Sequence, residues 1–282
     1  MLRRLARDPL AVAGAVVVVV FLLLALAAGW LAPHNPSARL PSLTQSLRAD
    51  SIPGPRPGSP LGSDGLGRDV LSRLLVGSRQ SLLLALSTTL IGLAGGGVLG
   101  AVAGLAGGWL DNLLMRLVDV LLSIPALLLA ISIAALVDRP TQGVVIVAVA
   151  AAWVPVFARL LRGSIVTERA APYLLAVRGL GLRRRAIVLR HLIPNALSPV
   201  LVQATLTLPM TLIDAAGLSY LGLGDADPNR AEWGAMLGDA QRYLNVRPGL
   251  MFYPAVAIIV VALGFTLLGE GLRSALNPQA EP

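Results

Sequence analysis

The sequence has no cysteine, which excludes disulfides and thiolate metal sites. It has no lysine either, so all 23 basic residues are arginine. A P-loop holds the nucleotide phosphates with a lysine, and this chain has none to supply. Only two histidines occur, His34 and His191, far apart and without carboxylates at ligand spacing, so no metal-site pattern is present. Charged residues make up 13% of the 282, about half the roughly 25% of soluble domains, which argues against an ordinary soluble fold. The glycine pairs in GLGRD, GLGLRR and YLGLG follow no strand of a βαβ unit, so none is a dinucleotide cradle.

What is abundant is apolar sequence: 55% hydrophobic residues and a mean hydropathy of +0.75. The apolar residues gather into continuous runs near the roughly 20 residues a helix needs to cross a bilayer. Continuous rather than alternating runs point to helices, not a barrel. The first run, PLAVAGAVVVVVFLLLALAAGWLA, covers residues 9–32. It exceeds the h-region of a signal peptide, about 7–15 residues, so a retained transmembrane helix is expected in place of a cleaved leader. A polar, Pro/Gly-rich segment follows over 33–77 and is read as an extracytoplasmic loop. It ends in a short helix with Asp69 and Arg73 paired at i,i+4.

Five more spans are expected over about 78–107, 113–137, 143–161, 194–221 and 252–272. In the second, Gly92, Gly96, Gly100, Gly104 and Gly108 recur every four residues, a flat stripe along which another helix can approach closely. Pro125, Pro155 and Pro209 interrupt spans three, four and five, where kinks would help a pathway open. Arg116 and Asp119 stand three apart and are expected to neutralise each other. Asp214 is a carboxylate inside an apolar span, and it reads equally as a functional group or a structural hydrogen-bonding one. Six spans place both termini on one side. The positive-inside rule puts the N-terminal arginines and the arginine-rich loop after span four in the cytoplasm, with most acids opposite.

That loop is more than a charge label. Between Arg159 and Arg190 it carries eight arginines and one acid, Glu168. Pro172 suits a helix start, Gly179 and Gly181 end that helix, and a second helix runs over 183–193 before Pro194 opens span five. A compact helix–turn–helix on the membrane surface can take a push from a partner. Arg183 to Arg185 suit anionic lipid or a docking rim. Nucleic acid is not indicated, since no aromatic platform accompanies the charges.

The loop resembles the EAA-type cytoplasmic loop of permease subunits in ATP-binding-cassette importers. Gly181 and Pro194 stand at the family spacing, and RHLIPN is similar to the RHxLPN form of the dipeptide, oligopeptide and nickel branch. Leu175, Ala176 and Val177 replace the Glu-Ala-Ala triplet, so the family glutamate is missing. ARDPLAVAG, SPLGSDGLGRDVLSRLLVGSRQSL, MRLVDVLLSIP, DAAGLSYLGLG, EWGAML and GEGLRSALNP resemble C-type subunit segments in the same order, over nearly the whole chain.

The resemblance implies an all-α membrane protein, six transmembrane helices in a type I ABC importer transmembrane domain (MetI-like). The layout would be a cytoplasmic tail 1–8, a first helix 9–32, the loop 33–77, a core 78–273 containing the coupling loop 162–193, and a cytoplasmic tail 274–282. It implies a non-catalytic subunit of the cell membrane, one half of the passage for di- or oligopeptides. A second permease chain, two cytoplasmic ATPases that use ATP and Mg, and an extracytoplasmic solute-binding protein would be its partners, and the chain itself would bind no cofactor. Tyr173, Leu175, Ala176, Val177, Arg178, Gly181, His191 and Pro194 would couple to the ATPase; Pro125, Pro155, Pro209 and Asp214 would line or gate the path. Nickel chelates and glutathione are alternative cargoes. A stand-alone secondary transporter is the rival class, and a membrane enzyme lacks any catalytic constellation.

Overall fold

In a computed structural model, residues 6–45, 47, 51–179 and 182–276 are described. Among them every regular element is helical. The helices are α1 (Pro9–Leu31), α2 (Pro41–Thr44), α3 (Val70–Ala106), α4 (Gly108–Leu122), α5 (Ala126–Ala134), α6 (Gln142–Arg169), α7 (Pro172–Gly179), α8 (Arg184–Ile187), α9 (Ile193–Tyr220), α10 (Trp233–Gln241) and α11 (Gly249–Leu276). A π-turn, Val188–Leu192, joins α8 to α9. Five helical stretches are long and apolar enough to cross a membrane, and the bent pair α4–α5 makes a sixth.

Local chemistry sets the ends. Asp8 caps α1, accepting from the Leu10 amide at 3.0 Å, and Pro9 follows with the φ a first turn requires. Gly107 and Gly108 adopt φ of 69° and 63°, which breaks α3 from α4. The fifth glycine of the four-residue series is therefore turn, not stripe.

The glycines of α3 decide the main packing. Helix α3 lies most extensively along α6. A β-carbon on Gly96 would sit 2.5 Å from the Val154 carbonyl, and one on Gly104 would sit 3.0 Å from Ile165. Gly92 faces Ala150 and Trp153, and Gly100 faces the Ala158 backbone. The stripe thus meets a helix of its own chain. Helix α1 lies outside this pair, against α11 and α3. Phe21 of α1 meets Trp233 of α10 edge-on at 6.0 Å.

Several expected boundaries and pairs differ. The short helix expected near Asp69 is the first two turns of α3, continuous with the second span. Asp69 does not pair with Arg73. It caps α3 through the Ser72 amide at 2.8 Å, because an aspartate at the helix start satisfies an otherwise unpaired donor. Arg73 turns instead to Asp64, 3.5 Å away. Span three is bent by 88° at Ser123–Pro125, since Pro125 donates no hydrogen bond and its own backbone is extended, with ψ of 132°. Asp119 pairs with Arg159 of α6 rather than with Arg116. Helix α6 continues to Arg169, eight residues past the expected end.

A cap closes the bundle on the face opposite the arginine-rich loop. In SDGLGRD, Asp64 accepts from the amides of Leu66 and Arg68, both at 2.9 Å, and from Arg68 Nε at 2.6 Å. Arg68 and Arg73 are 2% and 1% exposed, so this carboxylate holds two buried cations. Arg68 also donates to the Pro228 carbonyl at 2.5 Å, tying the motif to the segment before α10. Glu232 caps α10, accepting from Gly234 and Ala235 at 2.7 and 2.9 Å. Burial pushes its carboxyl above the ordinary range, although these amides oppose the shift.

Candidate functional site

Helix α7 is eight residues long and would not persist alone. Leu174 fixes it: fully buried, it packs with Phe157, Leu161 and Ile165 of α6 and with Ile187, Leu192, Ala196 and Val200 of the following helix. Val177 lies against the same cluster.

Polar contacts complete the attachment. The Tyr173 hydroxyl donates to Glu168 Oε2 at 2.7 Å and accepts from Asn195 Nδ2 at 2.9 Å. One phenol thus bridges the end of α6, α7 and the start of α9. Desolvation, with Glu168 alongside, holds this phenol above its usual value, so it remains a protonated donor at neutral pH. Arg169 donates to the Gly104 carbonyl at 2.7 Å, and Arg162 makes a two-point contact with Asp111 at 3.0 and 2.6 Å. The end of α6 is therefore tied to α3 and α4 as well.

After α7, Arg183, Arg184 and Arg185 are exposed. The helix expected over 183–193 does not stop before Pro194. It passes through the π-turn into α9, giving one helical body over Arg184–Tyr220. Pro194 explains the wide turn: its ring crowds the carbonyl four residues back, and the Ile193 amide bonds Val188 five residues back. His191 sits half-buried in that turn, and Pro194 is exposed. Gly181 and the side chains of Leu175, Ala176 and Arg178 lie outside the described residues. A cleft of about 390 Å³ opens between α6 and α9 just behind α7, bordered by Arg159, Ser164, Glu168 and Asn195.

The pathway candidates divide. Asp214 Oδ2 accepts from Trp153 Nε1 at 3.0 Å, joining α9 to α6 two residues before Pro155. Pro155 and Pro209 are buried inside their helices, while Pro125 forms the α4–α5 corner away from them. Neither Asn195 nor Trp153 stands out by spacing; Asn195 is signalled only as the last residue of RHLIPN. Among the described residues no cluster of three or more metal-ligating side chains occurs. The arrangement suits transmission of movement, from a small surface helix into two long helices.

A family model described as "binding-protein-dependent transport system inner membrane component" matches residues 96–281. Another, the N-terminal transmembrane domain of oligopeptide transport permease C, matches residues 1–53. The chain is 35% identical to a dipeptide transport system permease protein of Alkalihalophilus pseudofirmus over 282 residues, 98% of this chain and 88% of that one. It is 38% identical to a glutathione transport system permease protein of Pectobacterium atrosepticum over 278 residues, 98% and 89% of the two chains. A solved amino acid ABC transporter superposes with a TM-score of 0.56 at 17% identity, covering 70% of this chain and 91% of that one. The inward-facing MetNI methionine transporter does so with 0.55 at 20%, covering 71% and 95%.

Proposed function

The chain belongs to the family of binding-protein-dependent transport system inner membrane components, as a permease subunit of an ABC importer, and on that premise we propose that it carries short peptides. The dipeptide and glutathione systems named above both move small peptides, and this shared chemistry supports the cargo class. The chain works with other transporter subunits. We assign these as a second permease, two ATPases that bind and hydrolyse ATP with Mg, and a solute-binding protein that delivers cargo. Both termini and α7 face the cytoplasm, and the Asp64–Glu232 cap faces the binding protein. The tails 1–8 and 274–282, the loop 33–77 and the core 78–273 keep the roles expected of them, with α3 extending the core outward to Val70.

The observation that carries the mechanism is the double attachment of α7. Leu174 seats it in the apolar cluster, and Tyr173 bridges Glu168 to Asn195. Glu168 supplies an acid at this corner where the family triplet lacks its glutamate at Leu175. When the ATPases close, α7, with Val177 and Arg178 in it, and the nearby Gly181 are pushed. The push travels along the continuous helix Arg184–Tyr220, by way of His191 and Pro194, to Asp214. Movement there separates α9 from α6 at the Trp153 contact, and the prolines at 125, 155 and 209 allow the spans to flex. Reconstitution with the partner subunits tests this reading: labelled dipeptide accumulates in vesicles only with ATP. Equal accumulation by this chain alone, without ATP, contradicts it.

A further inference from the structure

On the outer flank of the bundle, α1, α3, α9 and α11 surround a half-open apolar cavity of about 370 Å³. That lies within the range of about 300–1,000 Å³ typical of ligand sites. Its walls include Leu22 and Leu26 of α1, Leu83 and Leu86 of α3, and Phe265 of α11. Leu26 is 79% exposed, and Leu22, Leu83 and Leu86 are also exposed, so the slot opens outward between α1 and α3.

One charged group borders this slot, Arg79. It is exposed and makes no hydrogen bond or ion pair among the described residues. The nearby cations Arg68 and Arg73 are already held by Asp64 in the cap. Depth matters here. The 37 residues of α3 extend roughly 55 Å at 1.5 Å per residue, well beyond a hydrocarbon core of about 30 Å. Its first turns lie in the polar cap, where a β-carbon on Gly77 would sit 3.0 Å from the Trp233 ring. Arg79 follows two residues later, at the level of lipid headgroups, and Leu86 lies roughly 10 Å deeper along the helix. A cation at the interface above an apolar slot has the shape of a phospholipid: phosphate above, acyl chain below.

We propose that this cavity is a binding site for an anionic glycerophospholipid of the leaflet on the cap side, with its phosphate at Arg79 and one acyl chain between α1 and α3. Two features favour lipid over a protein segment. The opening is on the flank, between exposed leucines, and an unpaired cation awaits an anion. An occupied slot would hold α1 against α3.

The test uses the assembled transporter, purified in mild detergent and titrated with phosphatidylglycerol or phosphatidylcholine, with retained lipids counted by native mass spectrometry. One phosphatidylglycerol per copy of this chain is expected, preferred over phosphatidylcholine about fivefold, the factor one interfacial arginine contributes toward an anionic lipid. Arg79→Gln abolishes that preference. Ala25→Phe, which fills the slot, lowers retention of both lipids at least tenfold, and Leu22→Trp at the rim does the same if Ala25→Phe fails to assemble. Equal retention of the two lipids by the wild type overturns the proposal. So does unchanged retention in the filled variants, or a cross-link from Leu26→Cys showing the second permease in the slot.

Discussion

Removing one oxygen atom tests the coupling corner. Tyr173→Phe keeps the ring beside α6 but deletes the 2.7 Å bond to Glu168 and the 2.9 Å bond from Asn195. Each such bond contributes about 0.5–1.5 kcal/mol net. Tyr173 is exposed, so water takes over both partners and places the total at the low end, about 1 kcal/mol for the pair. Leu174 still anchors the helix, so the ATPase remains attached while movement passes less completely to α9. At roughly 1.4 kcal/mol per factor of ten, about 1 kcal/mol is a factor of about five. ATP consumed per dipeptide imported should rise by up to that factor in proteoliposomes, with copurification of all subunits unchanged. Glu168→Ala should produce much of the same loss, and the double variant should add little, because both remove one network. An unchanged ATP-to-peptide ratio in Tyr173→Phe refutes the reasoning, as does fully additive behaviour in the double variant.

Other consequences follow from the same contacts. Asp64→Ala leaves buried Arg73 without an ion-pair partner and Arg68 with only the looser contact to Asp239 at 3.5 Å, and should cost roughly 3 kcal/mol, seen as loss of folded permease from the membrane fraction. Asp214→Asn keeps an acceptor for Trp153 but removes the charge. It should leave ATP-driven uptake within about twofold of wild type, whereas Asp214→Ala, which deletes the acceptor and leaves the Trp153 donor unpaired, should lower uptake roughly tenfold. Glu232 has a raised folded pKa, so its ionisation opposes folding. Its favourable contribution is full below about pH 4.3 and is lost as pH rises through the raised value. Glu232→Gln, which removes the titration and keeps an acceptor for one of the two amides, should flatten the thermal-stability profile above about pH 4.3.

Much of this architecture is legible in the residues themselves. Gly92 to Gly104 announce a close helix contact through spacing alone, since only a partner backbone needs the missing β-carbons. Spacing does not say which helix arrives, and α6 is fixed by Trp153, Val154 and Ile165 far along the chain. Asp69 and Arg73 show the limit of local reasoning. Their i,i+4 pattern is real, but a cap and a distant carboxylate compete for them and win. Arg116 and Asp119 fail as a pair in the same way, since Arg159 reaches across from α6. Pro125 marks a break without revealing a right-angle turn. Pro194 marks the entry to a span, yet the π-turn that carries the helix through it depends on backbone accommodation that residue identity does not display. The Tyr173 bridge was hidden because its three members are 5 and 22 residues apart and meet only when α6, α7 and α9 converge.

The central claim, that movement of an ATPase enters this chain through α7, is most directly tested by a site-specific cross-link. The chain has no cysteine of its own, and a β-carbon at Gly179 meets nothing within 4 Å, so Gly179→Cys introduces one thiol without a clash. In the assembled transporter, oxidation with single cysteines along the ATPase surface should give one strong disulfide that forms at a different rate when ATP is bound. A thiol at position 179 that joins no ATPase position, or one whose cross-linking ignores ATP, would contradict the account.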